Sequence, residues 1–69
     1  MTDLDARLLA AHASGDKPAL VDLYTQAADA APTLDAACFY LTHAYIFGLE
    51  LAHPAVPSLH ARLAGHGRV

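Results

Sequence analysis

Histidine is the residue type that first raises the question of chemistry in this chain of 69 residues. The five histidines are His12, His43, His53, His60 and His66. Zinc needs three or four converging ligands, and helical zinc sites commonly place two of them four residues apart on one face. No two of these histidines have that spacing, and Cys38 lies five residues before His43, about 140° away round a helix. The spacing therefore predicts no metal site, and no cofactor is expected.

Nucleophilic and acid-base catalysis find no better support in the sequence. Ser14 and Ser58 lack the G-x-S-x-G setting of a hydrolase nucleophile, and Cys38 falls on an apolar helical stripe, where a thiol is inert. Glu50 is the only glutamate, and no pair of acids shares a helical face near a histidine. The four glycines are dispersed and form no phosphate-binding loop. The sequence predicts a protein that is not an enzyme.

Charge and composition narrow the remaining classes. Apolar residues make up 55% of the chain and charged residues 16%, a balance typical of globular proteins. The net charge is −3 and the four cations are scattered, so the basic surface of a nucleic-acid-binding protein is missing. The single cysteine and the early acids Asp3 and Asp5 favour the reducing cytoplasm over a secreted protein.

Helical periodicity predicts an all-α fold with four short helices, at about residues 3–13, 17–31, 34–52 and 55–64. N-cap residues are expected at Thr2, Asp16 and Thr33, and a left-handed C-cap at Gly15. Residues 66–69 are expected to fray. No stretch resembles a linker, so residues 1–69 are expected to form a single helical domain.

The third predicted helix is apolar almost all round. One stripe can face a core, and it consists of Leu34, Ala37, Cys38, Leu41, Ala44, Tyr45 and Gly48. A second set of large apolar side chains lies off that stripe: Phe39, Tyr40, Ile46, Phe47, Leu49 and Leu51. The uncharged run 36–49 is too short for the roughly 20 residues that span a bilayer. Such a helix must be surrounded by its own domain or by a partner.

A shift of the sequence against itself by 34 residues gives a partial match. Gly15, Leu20, Tyr24, Ala27 and Pro32 have the spacing of one repeat, and Leu41, Ala44 and Tyr45 open a second. This spacing resembles the tetratricopeptide repeat (TPR), in about two degenerate copies. The resemblance implies two helix-turn-helix hairpins, while a plain four-helix bundle remains the alternative. The turn at residues 52–54 lacks the glycine of the repeat.

The TPR resemblance also implies a ligand groove lined by the first helix of each repeat. The groove positions of the second copy are Phe39, His43, Ile46 and Phe47, and those of the first are Asp5, Leu9 and His12. We therefore expect a small interaction module or scaffold that binds a protein partner or itself, as a homo-oligomer, through Phe39, His43, Ile46 and Phe47. The alternative is an accessory subunit that lies against a membrane protein complex, with membrane contact through the uncharged third helix.

Overall fold

Four α-helices make up the fold. The computed structural model describes residues 3–69, with α1 at Asp3–Ser14, α2 at Lys17–Ala30, α3 at Leu34–Leu51 and α4 at Val56–Gly65. No strand occurs within residues 3–69. The predicted all-α class is confirmed, and each helix end lies within one residue of its predicted position.

Side-chain caps begin the two central helices, as the sequence predicts. The Asp16 carboxylate accepts a hydrogen bond from the Ala19 amide at 3.3 Å, and the Thr33 hydroxyl oxygen accepts one from the Ala36 amide at 3.1 Å. These bonds satisfy amide hydrogens that have no partner inside the helix. The cap predicted at Thr2 lies outside the described residues.

Three of the helices end in the same way, with a residue in the left-handed conformation. These residues are Gly15, Ala52 and Gly67, with φ of 68°, 51° and 71°. Behind α3, the His53 amide donates to the Gly48 carbonyl at 2.9 Å and the Ala52 amide to the Leu49 carbonyl at 3.3 Å, which is the Schellman pattern. Ala52 has a Cβ that makes this conformation unfavourable, by about 1 kcal/mol relative to glycine.

The segment after α4 is ordered by hydrogen bonds, so the prediction that it frays is wrong for residues 66–68. The Gly67 amide donates to the Ala64 carbonyl at 3.0 Å and the Arg68 amide to the Leu63 carbonyl at 2.9 Å. The Arg68 guanidinium then reaches Asp35 in the first turn of α3 at 2.6 Å. The last residues of the chain are thereby tied to the start of the third helix.

Helix packing follows the order of the sequence. The helices α2 and α3 form the central pair, α1 packs against α2, and α4 packs against α3. Among the described helices, only those consecutive in sequence bring Cα atoms within 8 Å of each other. The Cα atoms span 31 × 28 × 12 Å, so the molecule is flat.

Two apolar clusters hold these helices together. The larger joins α2, α3 and α4 through Val21, Ala28, Cys38, Leu41, Ala44, Leu59 and Leu63. The smaller joins α1 to α2 through Ala11, Leu20 and Leu23. Leu34 departs from the stripe predicted for α3, since it is 51% exposed, and Val21 and Ala28 of α2 are buried although no burial was predicted for them.

Candidate protein-interaction surface

The outward side of α3 carries a straight line of exposed side chains, which we call the α3 seam. It consists of Phe39, Thr42, Ile46 and Leu49. Phe39 is 59% exposed, Ile46 51% and Leu49 54%. Steps of three, four and three residues keep these positions on one side of a helix, with the 3.5-residue period of helix-to-helix contacts. At 1.5 Å per residue the seam is about 15 Å long.

The polar side chains on the α3 seam and beside its two ends already have partners within the chain. The Thr42 hydroxyl donates to the Cys38 carbonyl at 2.8 Å, and the Glu50 carboxylate accepts from Lys17 at 2.9 Å. At the other end Asp35 accepts from Arg68, a bond that raises the pKa of the guanidinium. Because these groups are satisfied, an apolar surface can cover the seam without leaving them unpaired.

A cluster of aromatic rings lies beside the seam, where α1, α2 and α3 meet. Tyr24 of α2 stacks on His43 with a centroid distance of 5.1 Å and on Phe47 at 6.0 Å. The Tyr24 hydroxyl is 2.8 Å from Nε2 of His12, and the His12 ring lies edge-on to Phe47 at 6.2 Å. These contacts connect the three helices through side chains.

His43 connects this aromatic cluster to the seam. Its Nδ1 lies 2.8 Å from the Phe39 carbonyl oxygen, where it donates a hydrogen bond. Its ring is half-buried and lies 4.4 Å, centroid to centroid, from the exposed Phe39 ring. His43 therefore fixes one edge of the seam.

The structure divides the four residues predicted to bind a partner. Phe39 and Ile46 lie together on the seam and His43 borders it. Phe47 is half-buried and packs against both apolar clusters, so it stands apart from the other three. Leu49 belongs to the seam although it was not among the predicted partner-binding residues. Its distances of three residues from Ile46 and ten from Phe39 are the sequence signal for it.

The groove positions that the resemblance implies on α1 are only partly joined to those on α3. His12 contacts Phe47 across the aromatic cluster. Leu9 is 58% exposed on the same helix, three residues before His12. The two helices are thus connected through His12, while three exposed large apolar side chains lie in line on the α3 seam.

Comparisons with protein-family models, with curated proteins and with solved structures found no match. Within residues 3–69, no helix has both the length and the apolar character that a membrane crossing demands. The same residues contain no group of three or more His, Cys, Asp or Glu side chains placed to hold a metal ion.

A groove between α1 and α2, of about 380 Å³, is a second concave feature. The residues that line it include the small side chains Ala10, Ala11 and Ala19. Two of the charged side chains that line it, Arg7 and Asp16, are already engaged, with Asp3 and with the Ala19 amide respectively.

Proposed function

We propose that this chain is a small helical interaction module that binds a protein through the exposed side of α3. The observation that carries the proposal is the α3 seam itself, with three large apolar side chains in one line, each more than half exposed. Scattered exposed apolar residues are normal on proteins, whereas a continuous apolar patch of about 300–600 Å² is often functional. Together these three side chains present on the order of 300 Å² of apolar surface.

The charges of the chain support a protein partner over a nucleic acid. Each of the four cations has a carboxylate within 4.0 Å: the pairs are Arg7–Asp3, Lys17–Glu50, Arg62–Asp29 and Arg68–Asp35. A polyanion needs cations that can release its counterions. Pairing within the chain reduces that capacity, and the seam carries no cation of its own.

The resemblance to the TPR, the absence of enzymatic activity and a cytoplasmic location remain parts of this proposal. A scaffold of helical hairpins presents side chains for recognition and needs no catalytic group. Both the TPR groove and the α3 seam place partner recognition on α3. On the seam the contact residues are Phe39, Ile46 and Leu49, whereas Phe47 supports the helix from the inner side.

The proposal is tested with one charged substitution on the seam and a matched control on the same helix. Ile46 and Leu34 are both 51% exposed, but only Ile46 lies on the seam. We expect Ile46→Asp to abolish retention of proteins that the wild type captures from a native extract, because a carboxylate would be buried unpaired in the contact. Leu34→Asp is expected to retain them, and circular dichroism should show unchanged helix content for both variants.

Two results would contradict the proposal. One is retention of the same proteins by Ile46→Asp and the wild type, and the other is loss of helix content in Ile46→Asp. Recovery of the wild type with membranes, lost in Ile46→Asp, would instead favour the accessory subunit of a membrane protein complex.

A further inference from the structure

We propose that His53 is a pH-dependent capping residue, which holds the start of α4 while its imidazole is neutral and releases it when the ring is protonated. The inference is independent of the proposed function, because it concerns the inner side of α3 and the helix that packs there. Three observations carry it: the hydrogen bond that the ring accepts, the lack of a second acceptor for the same amide, and the close contact between α3 and α4 at this turn.

The hydrogen bond at the turn defines the protonation state of His53. The Ala55 amide donates to Nδ1 of His53, with 3.0 Å between the two nitrogens. A ring nitrogen accepts a hydrogen bond only through its lone pair, so Nδ1 carries no proton and Nε2 carries the proton of the neutral ring. In the protonated imidazole both nitrogens are donors. Protonation therefore sets one N–H against another and removes this bond.

Among the described residues, the Ala55 amide has no second acceptor. Two of the residues 54–57 are prolines without an amide hydrogen, so Ala55 and Val56 provide the amides at the start of α4 that His53 can bind. The Val56 amide donates to the His53 carbonyl at 3.1 Å. Ala55, the N-cap residue of α4, supplies no side-chain acceptor of its own. His53 therefore accepts from both amides, in the way that an Asx turn does.

The same turn sets the distance between α3 and α4. Val56 is the first residue of α4, and its Cγ2 lies 2.9 Å from where a Cβ on Gly48 would be. The Cβ of His53 lies 3.8 Å from that same point. His53 and Val56 thus both lie against Gly48 on the inner side of α3. Loss of the hydrogen bond from Ala55 removes one of the two bonds that hold this turn against α3.

The charged groups on the helices that flank His53 are engaged elsewhere. On α3 the acid nearest in sequence is Glu50, which is bonded to Lys17 of α2 at 2.9 Å. On α4 the titratable side chains are His60 and Arg62, and Arg62 is bonded to an acid of α2 at 2.6 Å. None of the ion pairs among residues 3–69 includes His53. The hydrogen bond at Nδ1 is therefore the contact that protonation changes.

The two helix ends beside His53 act on a positive charge in opposite directions. The C-terminus of α3 favours a cation, and the N-terminus of α4 disfavours one. At the C-terminus of α3 the carbonyls of Gly48 and Leu49 already accept from the His53 and Ala52 amides. The ring nitrogen that would gain the proton faces an amide hydrogen of α4 instead. We therefore expect the α4 side to decide the sign, so that protonation weakens the fold.

Acidification is then expected to destabilise the start of α4. Histidine in an unfolded chain is mostly neutral above about pH 6.5 and mostly charged below it. The stabilisation that the neutral ring provides is complete at about pH 8, and it is lost as the pH falls below about 6.5. The net contribution of one hydrogen bond corresponds to a roughly two- to tenfold change in the equilibrium constant of unfolding.

The matched variant for this test is His53→Asn. The side-chain oxygen of Asn accepts the same bond from the amide two residues on, but the side chain does not titrate. Urea denaturation at about pH 8 and about pH 5.5 gives the equilibrium constant of unfolding for both proteins. On acidification it should rise roughly two- to tenfold more in the wild type than in His53→Asn. The other titratable groups are common to both proteins, so their contributions cancel.

A second variant and a local measurement locate the effect at the turn. His53→Ala has no side-chain acceptor at either pH, so it should be less stable than the wild type at about pH 8 and nearly equal to it at about pH 5.5. In nuclear magnetic resonance spectra of the wild type, the nuclear Overhauser effects between Gly48 and the Val56 methyl groups should weaken over the same pH range. They should stay constant in His53→Asn.

Three results would overturn the inference. The first is an equal response to pH in the wild type and His53→Asn. The second is a wild type that gains stability over His53→Asn on acidification, which would mean that the C-terminus of α3 decides the sign. The third is a constant contact between Gly48 and Val56 in the wild type at both pH values. If His53→Asn does not fold, the comparison with His53→Ala and the wild-type spectra decide the question.

Discussion

The inner and outer sides of α3 differ in a way that runs against the usual relation between burial and size. The inner line consists of Cys38, Leu41, Ala44 and Gly48, all buried. The outer line, the α3 seam, consists of Phe39, Thr42, Ile46 and Leu49, all exposed. The bulkier apolar side chains thus face outward and the smaller residues face the core.

The small inner residues explain how closely the neighbouring helices approach α3. A Cβ added to Gly48 would lie 2.9 Å from Cγ2 of Val56 at the start of α4, inside van der Waals contact. Ala44 is fully buried against the same large cluster. Small residues suffice on the side where the helices approach closely, and the larger apolar side chains Phe39, Ile46 and Leu49 remain exposed. Hydrophobicity alone therefore does not identify the core of α3.

The largest contrast is expected between two leucines of this helix. Leu41 is 1% exposed and Leu49 is 54% exposed. Leu41→Ala should lower the free energy of unfolding by about 2–5 kcal/mol, because it leaves a cavity in the larger cluster. A chain of this size has only about 3–10 kcal/mol of stability in total, so the variant should be partly or wholly unfolded.

Leu49→Ala is the matched control for that experiment and should change the free energy of unfolding by no more than about 0.5 kcal/mol in dilute solution. Urea denaturation followed by circular dichroism gives both values. Equal losses in the two variants would remove the distinction between the two sides.

The two phenylalanines of α3 provide a second contrast. Phe47 packs against both apolar clusters and stacks on Tyr24, whereas Phe39 is 59% exposed. Phe47→Ala should cost about 2–4 kcal/mol, somewhat less than for a fully buried ring. Phe39→Ala should cost less than about 1 kcal/mol in the monomer. Thermal denaturation at low protein concentration measures both, and a larger loss in Phe39→Ala would place Phe39 in the core.

A substitution at Gly48 tests whether the inner line of α3 needs small side chains. Alanine is the better helix former by about 1 kcal/mol, but here its Cβ meets the stiff Val56 side chain. We expect Gly48→Ala to lower the free energy of unfolding by about 1 kcal/mol net, because the overpacking exceeds the gain in helix propensity.

The effect of Gly48→Ala on the free energy of unfolding should change sign once the Val56 side chain is shortened. In a Val56→Ala background, Gly48→Ala should raise stability, and a double-mutant cycle in urea gives the coupling between the two sites. A stabilising effect in both backgrounds would mean that the close approach of α3 and α4 does not depend on glycine.

The smallest change in stability is expected at Ala52, the residue that ends α3, which belongs neither to the inner nor to the outer line of that helix. Ala52 has φ of 51°, so Ala52→Gly should raise the free energy of unfolding by about 0.5–1 kcal/mol. Gly15→Ala, at φ of 68° with open space around its Cβ, should lower it by a similar amount. Melting temperatures that move in opposite directions would agree with this, while a loss in Ala52→Gly would mean that the alanine methyl group makes a contact that outweighs the strain.

The local features were predictable from the sequence because they depend on neighbouring residues. The helix ends, the caps at Asp16 and Thr33 and the left-handed Gly15 all follow from residue types within a few positions. The burial of Val21 and Ala28 was missed because α2 packs against both α1 and α3 and contributes to the cluster that α4 joins. The helix α2 therefore buries a wider arc of its surface than the single stripe that helical spacing predicts. The exposure of Leu34 was missed because it is the first residue of α3.

The candidate surface was predictable in part. The apolar excess of α3 pointed to Phe39 and Ile46, and the structure leaves both exposed. Helical spacing could not determine that Phe47 lies against Tyr24 and His12, since that depends on where α1 and α2 cross α3. The contact between Arg68 and Asp35 was unpredictable for the same reason, because it joins residues brought together only by the packed fold.

The packing of each helix against its neighbours in sequence has a consequence for how the chain reaches this structure. Contacts between consecutive helices close short loops, and short loops lose little chain entropy. Proteins dominated by such local contacts fold within microseconds to milliseconds, far faster than those that join distant strands. The α2–α3 pair is joined by residues 31–33 alone, so its contacts are expected to be among the first to form as the chain folds.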